Sequence, residues 1–243
     1  MNETPTEAAP TSTVEKQHKI SKVRAEDKAV EPRHGFVYRL MYGSYGILFR
    51  LGGLQVHGLE NVPMEGAVII APNHASLFDP PLVGCTVPRK VTTMGKAELF
   101  EKKTFGLKIL GWIIRRMGSF PVKRGAPDRR ALRMALRVLH NGEALVIFPE
   151  GTRTRSGQLG PAEHGVALIA HSTKAPVVPM YLKGTQAALS PLQPRFALIH
   201  PAVYFGKPLR FEEEYARKAD RDTLEAIGAR IMGEISKLEE AAK

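Results

Sequence analysis

Short apolar runs alternating with helical stretches constrain this chain more than any other feature. From Ala67 onward, six runs read as strands: Ala67–Ala71, Val91–Met94, Ser119–Lys123, Ala144–Phe148, Pro176–Tyr181 and Ala197–Phe205. Gly, Pro or Asn punctuates the chain between them. The spacing predicts helices over Ser76–Val87, Leu107–Ile114, Asp128–Leu139, Glu163–Ser172 and Thr223–Ala242. Strand and helix in turn predict an α/β domain with a mostly parallel central sheet flanked by helices. A chain of 243 residues is ample for one such domain with a sizeable core.

The first 33 residues carry no aromatic side chain and no apolar run, so burial cannot offset the entropy of ordering them, and a disordered tail is expected. They also lack the apolar core and small-residue cleavage site of a secretory signal. Residues 34–58 follow as an amphipathic segment, and 59–243 as the catalytic domain. Within 36–54, Arg39, Gly43, Gly46 and Arg50 form a narrow polar stripe in an otherwise apolar and aromatic helix. A helix lying in a membrane interface and a helix packed on a core fit this pattern equally. A second stretch, Lys102–Arg116, mixes five basic residues with Phe105, Ile109, Leu110 and Trp112; a solvated basic face is the plainer explanation, but docking on anionic lipid is favoured.

Lys plus Arg number 35 against 24 Asp plus Glu, a formal charge of +11, so an anionic partner is expected: a lipid surface, a phosphorylated substrate or nucleic acid. No segment reaches the roughly 18 apolar residues of a membrane span. Membrane contact is therefore expected to be peripheral or monotopic, on the cytoplasmic face. The lone cysteine, Cys85, excludes an intrachain disulfide and a multi-cysteine metal site, and no histidine spacing suggests a metal.

Two blocks carry the chemistry. Asn73-His74-Ala75-Ser76-Leu77-Phe78-Asp79 follows the apolar strand AVIIA, and Phe148-Pro149-Glu150-Gly151-Thr152-Arg153 ends the strand ALVIF. Both lie at carboxyl ends of strands, where open α/β sheets bind ligands. His74 and Asp79 would not meet on an ideal helix. Pro80 and Pro81 are expected to push Asp79 out of helical geometry, so that a distorted turn returns its carboxylate to the imidazole. That contact would fix the tautomer and leave the other ring nitrogen as a general base. Lys123 and Arg124 close a third strand, and Gly151 with Arg153 suits an anion.

In this order the blocks resemble the glycerol-phosphate and lysophosphatidate acyltransferase family. NHASLFD matches its first motif, GSFPVKR its second with Arg124 at the arginine position, FPEGTR its third at 148–153, and APVVP its fourth at 175–179. The resemblance implies transfer of a fatty acyl group from an acyl-coenzyme A or acyl-carrier-protein thioester to a lysophospholipid hydroxyl, in phospholipid biosynthesis. His74 and Asp79 would be catalytic; Arg124, Glu150, Gly151, Thr152 and Arg153 would bind the acceptor. No cofactor beyond the thioester cosubstrate is implied. Lysophosphatidate is the expected acceptor, with glycerol phosphate, another lysophospholipid or a lysoglycolipid as alternatives. Departures at Glu163 and His164, and at Ser119 and Pro121, bear on headgroup choice and on the length of the strand before Arg124. A noncatalytic lipid-binding or nucleic-acid-binding basic protein is the distant alternative. It leaves both motifs without a role, and no nucleic-acid signature is present.

Overall fold

The structure, a computed structural model, describes residues 35–100, 104–123, 125, 127–154 and 156–243. The expected tail, residues 1–33, and Arg124 lie outside the described residues.

Helix α1 (Phe36–Leu51) precedes the short strand β1 (Gln55–His57), and β2 (Val68–Pro72) opens the alternation. Helix α2 (Asp79–Thr86), β3 (Val91–Lys96), α3 (Phe105–Arg116), β4 (Ser119–Val122), α4 (Arg129–His140) and β5 (Ala144–Val146) follow. The chain ends with α5 (His164–Thr173), β6 (Val177–Lys183), β7 (Ala202–Phe205), the single turn α6 (Glu212–Tyr215) and α7 (Arg221–Ala241).

The seven strands found among the described residues form one sheet in the order β1-β7-β6-β2-β5-β3-β4. The pairings from β6 through β4 are all parallel; β7 runs antiparallel to β6, and β1 runs parallel to β7. The mostly parallel sheet is thus as expected, with two outer strands reversed. Every residue of β2 is buried, as befits a central strand covered on both faces. Pro121 pairs with Gly95 on β4, an edge strand, where a residue without an amide hydrogen is tolerated.

Two strand expectations need correction. Ala197–Phe205 forms a strand only over its last four residues; the preceding stretch is an irregular loop with Phe196 and Leu198 exposed. Its apolar residues mimic a strand, but His200 and Pro201 interrupt them, and only 202–205 find ladder partners on β6 and β1. Strand β1 has no expected counterpart, because its three residues, all exposed, leave no hydrophobic pattern.

Local chemistry sets the helices. Asp128 caps α4, accepting from the amides of Arg130 and Ala131 at 3.0 Å each, and it also accepts from the Lys123 amide at 2.9 Å. The cap therefore ties the end of β4 to the start of the helix. Ala131, Met134, Ala135, Val138 and Leu139 are buried, the spacing of one helical face turned to a core.

Helix α1 is part of the same compact unit as the sheet. Its buried stripe is Tyr38, Tyr42, Gly46 and Phe49. Gly46 thus leaves the expected polar stripe and meets α2, where an added Cβ would lie 3.7 Å from that of Cys85. Gly84 of α2 makes the approach possible: a Cβ there would fall 1.9 Å from the Tyr42 ring. The Tyr42 hydroxyl donates to the Met117 carbonyl at 3.1 Å, which fastens α1 to the end of α3. The outward face leaves Phe36, Leu40, Ile47, Leu48 and Leu51 exposed. One helix therefore both packs on the core and presents an apolar face.

Candidate active site

β2 and β5 are parallel neighbours with Ile70 opposite Val146, so the segments that follow them leave the same edge of the sheet. Asn73 extends the ladder one residue past β2. Its amide donates to Met180 O at 3.3 Å, its side-chain Nδ2 donates to Leu182 O at 3.3 Å, and its Oδ1 accepts from Leu182 N at 2.7 Å. A side-chain amide acting as a surrogate peptide fixes where the following turn begins.

His74 and Asp79 come together at that turn. Asp79 Oδ2 accepts from His74 Nδ1 at 2.8 Å and from the amides of Ala75 and Ser76 at 2.6 and 2.7 Å. The expected route to this contact is overturned. Asp79 opens α2, with Pro80 and Pro81 in its first turn, where missing amide hydrogens break no intrahelical bond. The irregular part is instead 73–78, and the helix begins at Asp79 rather than Ser76. Ser76 holds this turn from inside: its hydroxyl donates to Ala188 O at 2.6 Å and accepts from the Phe78 amide at 3.1 Å.

Because a carboxylate only accepts, the Nδ1 of His74 carries a hydrogen, and in the neutral ring Nε2 then carries the lone pair. The ring stacks on Phe148 with centroids 4.1 Å apart. His74 is 7% exposed and Asp79 fully buried; among the described residues no group hydrogen-bonds Nε2. An imidazole with one nitrogen clamped and the other open is a general base in waiting.

The loop after β5 grips the main chain of His74 on both sides. Its amide donates to Glu150 Oε1 at 2.9 Å, and its carbonyl accepts from Thr154 N at 2.8 Å. The other oxygen of Glu150, Oε2, accepts from Gly160 N at 3.1 Å. Burial pushes the Glu150 carboxyl above its ordinary value, and the two amides only partly oppose this. Gly151 adopts φ +67°, and a Cβ there would come 2.8 Å from Glu163 Cγ; its amide donates to Phe148 O at 3.1 Å and closes the turn. Thr152 is exposed. Arg153 donates from Nη1 to Leu189 O at 3.2 Å.

Lys123 stands exposed past the end of β4; Arg124 follows it outside the described residues. Cys85, on α2, donates from Sγ to Leu82 O, and burial pushes its thiol up to about 12, which suits an inert residue rather than a nucleophile. A cavity of about 90 Å³ touches Asn73, Ala75 and Glu150 but not the side of His74. It is too small for a lipid.

Sequence reasoning placed His74 and Asp79 together but overlooked the supporting bonds of Asn73, Ser76, Thr154 and Gly160. Asn73 is a letter of the first motif, whereas Ser76 falls among its four unspecified positions. Their partners, Leu182 and Ala188, lie more than a hundred residues away, so spacing gave no hint of them.

Comparison with known proteins bears on what this arrangement belongs to. The 1-acyl-sn-glycerol-3-phosphate acyltransferase of Bacillus subtilis is 29% identical over 194 residues, covering 79% of this chain and 92% of that protein. The protein of the same name from Streptococcus pneumoniae is 28% identical over 196 residues, covering 79% of this chain and 68% of that one. The crystal structure of the 1-acyl-sn-glycerophosphate acyltransferase PlsC from Thermotoga maritima superimposes with a TM-score of 0.61 at 24% identity, over 83% of this chain and 79% of that one. That likeness is one of fold. Residues 53–183, more than half the chain, match the Acyltransferase family. They run from before β2 to the end of β6, the span that holds the His74–Asp79 pair and the loop that grips it, and the chain belongs to that family.

Proposed function

We propose that the protein is a 1-acyl-sn-glycerol-3-phosphate acyltransferase of phospholipid biosynthesis, working at an anionic membrane surface on the cytoplasmic face. The observation that carries this reading is the His74–Asp79 pair, with Nδ1 held at 2.8 Å and Nε2 open. The names and coverage of the bacterial relatives support the acceptor.

In this reaction the acceptor hydroxyl gives its proton to His74 Nε2 as its oxygen attacks the thioester carbonyl carbon. The carbon–sulfur bond then breaks, and the departing thiolate takes the proton from Nε2. His74 ends as it began, and no covalent enzyme intermediate forms. Asp79 keeps Nδ1 protonated and offsets the imidazolium charge while it lasts. The donor is a fatty acyl thioester of coenzyme A or of acyl carrier protein. Arg124 and Arg153 bind the acceptor phosphate together with Gly151 and Thr152. Arg153 supports this role because, among the described residues, its guanidinium donates only to Leu189 O and keeps further N–H donors for a phosphate. Glu150 serves the site by fixing the backbone of His74.

Among the described residues no helix is long and apolar enough to cross a membrane. Contact with lipid is therefore through surfaces. The outward face of α1 and the exposed Phe105, Ile109 and Trp112 of α3 supply apolar area. Arg39, Arg50, Lys108 and Arg116 on the same two helices suit anionic headgroups.

The test is acyl transfer by purified protein in mixed micelles. Labelled acyl-coenzyme A is offered in parallel to lysophosphatidate, glycerol phosphate, other lysophospholipids and a lysoglycolipid. Product formed preferentially from lysophosphatidate supports the reading; preference for another acceptor replaces the substrate and keeps the chemistry.

A further inference from the structure

The loop between β6 and β7 falls outside the two segments assigned to lipid contact, and its chemistry matches theirs. Phe196 and Leu198 are 71% and 69% exposed, and Leu192 is also exposed. Exposed apolar side chains that cluster into one patch mark an interaction surface, where singly scattered ones do not. Leu48 and Phe49 of α1 line a small apolar hollow with Phe78, Phe196, Leu198 and Ile199, so the loop and the outward face of α1 meet. His200 Nδ1 contacts Gly52 O at 2.7 Å and locks the far end of the loop to the end of the helix. Arg195 stands exposed between the apolar residues.

The base of this loop is built into the reaction site. Leu189, held at φ +50°, accepts at its carbonyl from both Leu77 N (3.1 Å) and Arg153 Nη1 (3.2 Å). Its neighbour Ala188 accepts from Ser76 Oγ. Leu189 N donates to Arg195 O at 3.0 Å and Ser190 N to Gln193 O at 3.0 Å, so the exposed tip and the anchored base are one hydrogen-bonded turn.

We propose that residues 191–198 form a further lipid-docking arm, inserting Phe196 and Leu198 into the interface of an anionic bilayer and seating the anchored base, with Arg153, at headgroup level. The occupant is a bilayer because the apolar residues continue the exposed face of α1. The charge beside them is cationic, at Arg50 and Arg195, and the whole chain carries +11. Lipid chains take up the apolar residues and phosphates the arginines. The proposal rests on the membrane-surface reading above.

Trp112 is the only tryptophan, so the double variant Trp112→Phe, Phe196→Trp places a single reporter on the arm. With vesicles of phosphatidylcholine and phosphatidylglycerol, its emission is expected to shift to the blue, and less so with phosphatidylcholine alone. In parallel, Phe196→Ser with Leu198→Ser is expected to lower turnover on vesicle-borne acceptor at least 5-fold while leaving turnover on a water-soluble short-chain acceptor within 2-fold. An emission spectrum unchanged by anionic vesicles overturns the proposal, whether or not the protein sediments with them; so does an equal loss on both acceptors, which would mark the arm as structural. The fluorescence arm needs no turnover, so a protein that inserts but acylates nothing would sink the proposed activity and leave the docking arm standing.

Discussion

His74 and Asp79 are joined at 2.8 Å, and the oxygen that makes the contact, Asp79 Oδ2, also accepts two backbone amides, while Oδ1 is buried and has no hydrogen-bond partner among the described residues. The carboxylate is thus fixed by the peptide groups of the turn it orients. Three donors converge on that one oxygen, and because a carboxylate oxygen only accepts, the contact holds the hydrogen on Nδ1.

Asp79→Asn keeps the size of the side chain and removes its charge. The amide oxygen can still accept from the turn, but nothing then offsets an imidazolium at position 74. Turnover is expected to fall by about 10² to 10⁴-fold, the range for impaired general-base catalysis, with KM for the acceptor little changed. Steady-state kinetics check this; a rise in KM at constant turnover would make Asp79 a binding residue.

Glu150 gives a pH-dependent prediction. Its carboxyl is raised above the ordinary 4.5, so the folded state holds this proton more tightly than the unfolded state does. The stability it contributes is fully present below 4.5 and is lost as pH rises through the raised value. Glu150→Gln removes that titration. Urea melts of both proteins from pH 4 to pH 7 should show the wild type losing stability relative to the variant as pH rises; an opposite slope would mean that the amides outweigh burial.

Much of this architecture was legible in the chain. β2 and β5 are apolar runs because they are buried on both faces. The helix expected over Asp128–Leu139 is found at Arg129–His140, one residue later because Asp128 is its cap. The His74–Asp79 pair was legible too, but its geometry was not: Pro80 and Pro81 suggest a distorted helix where the structure has the regular first turn of one that Asp79 opens. Side chains bonded to distant backbone leave no periodic signal, so the tie of Asn73 to β6 and that of Glu150 to the His74 amide appear only in three dimensions. The stretch 197–201 reads as the start of a strand because it opens with apolar residues, yet it finds no ladder partner, and pairing over distance leaves no mark in the sequence.

Gly84 tests the packing of α1. Adding a methyl group 1.9 Å from the Tyr42 ring forces the two helices apart. Gly84→Ala is expected to cost about 1–3 kcal/mol, the range for overpacking a filled core, seen as a lowered denaturation midpoint. Unchanged stability would show that α1 shifts freely on α2.

Cys85 should be chemically silent. With its thiol pushed up to about 12, the thiolate fraction at pH 8 is about 10⁻⁴. Alkylation by iodoacetamide should be slow in the folded protein and fast in urea, and Cys85→Ala should keep turnover within about 2-fold. Rapid inactivation at pH 8 would mean that the thiol lies in or beside the reaction path.

The most direct test of the central claim is single-site replacement of the base. His74→Ala is assayed with an acyl thioester and lysophosphatidate in mixed micelles, and circular dichroism and thermal melting confirm the fold. The account predicts a loss of turnover of at least ~10²-fold in a protein that melts as the wild type does. Turnover close to that of the wild type would contradict it, and the proton would then have to leave the acceptor by another group.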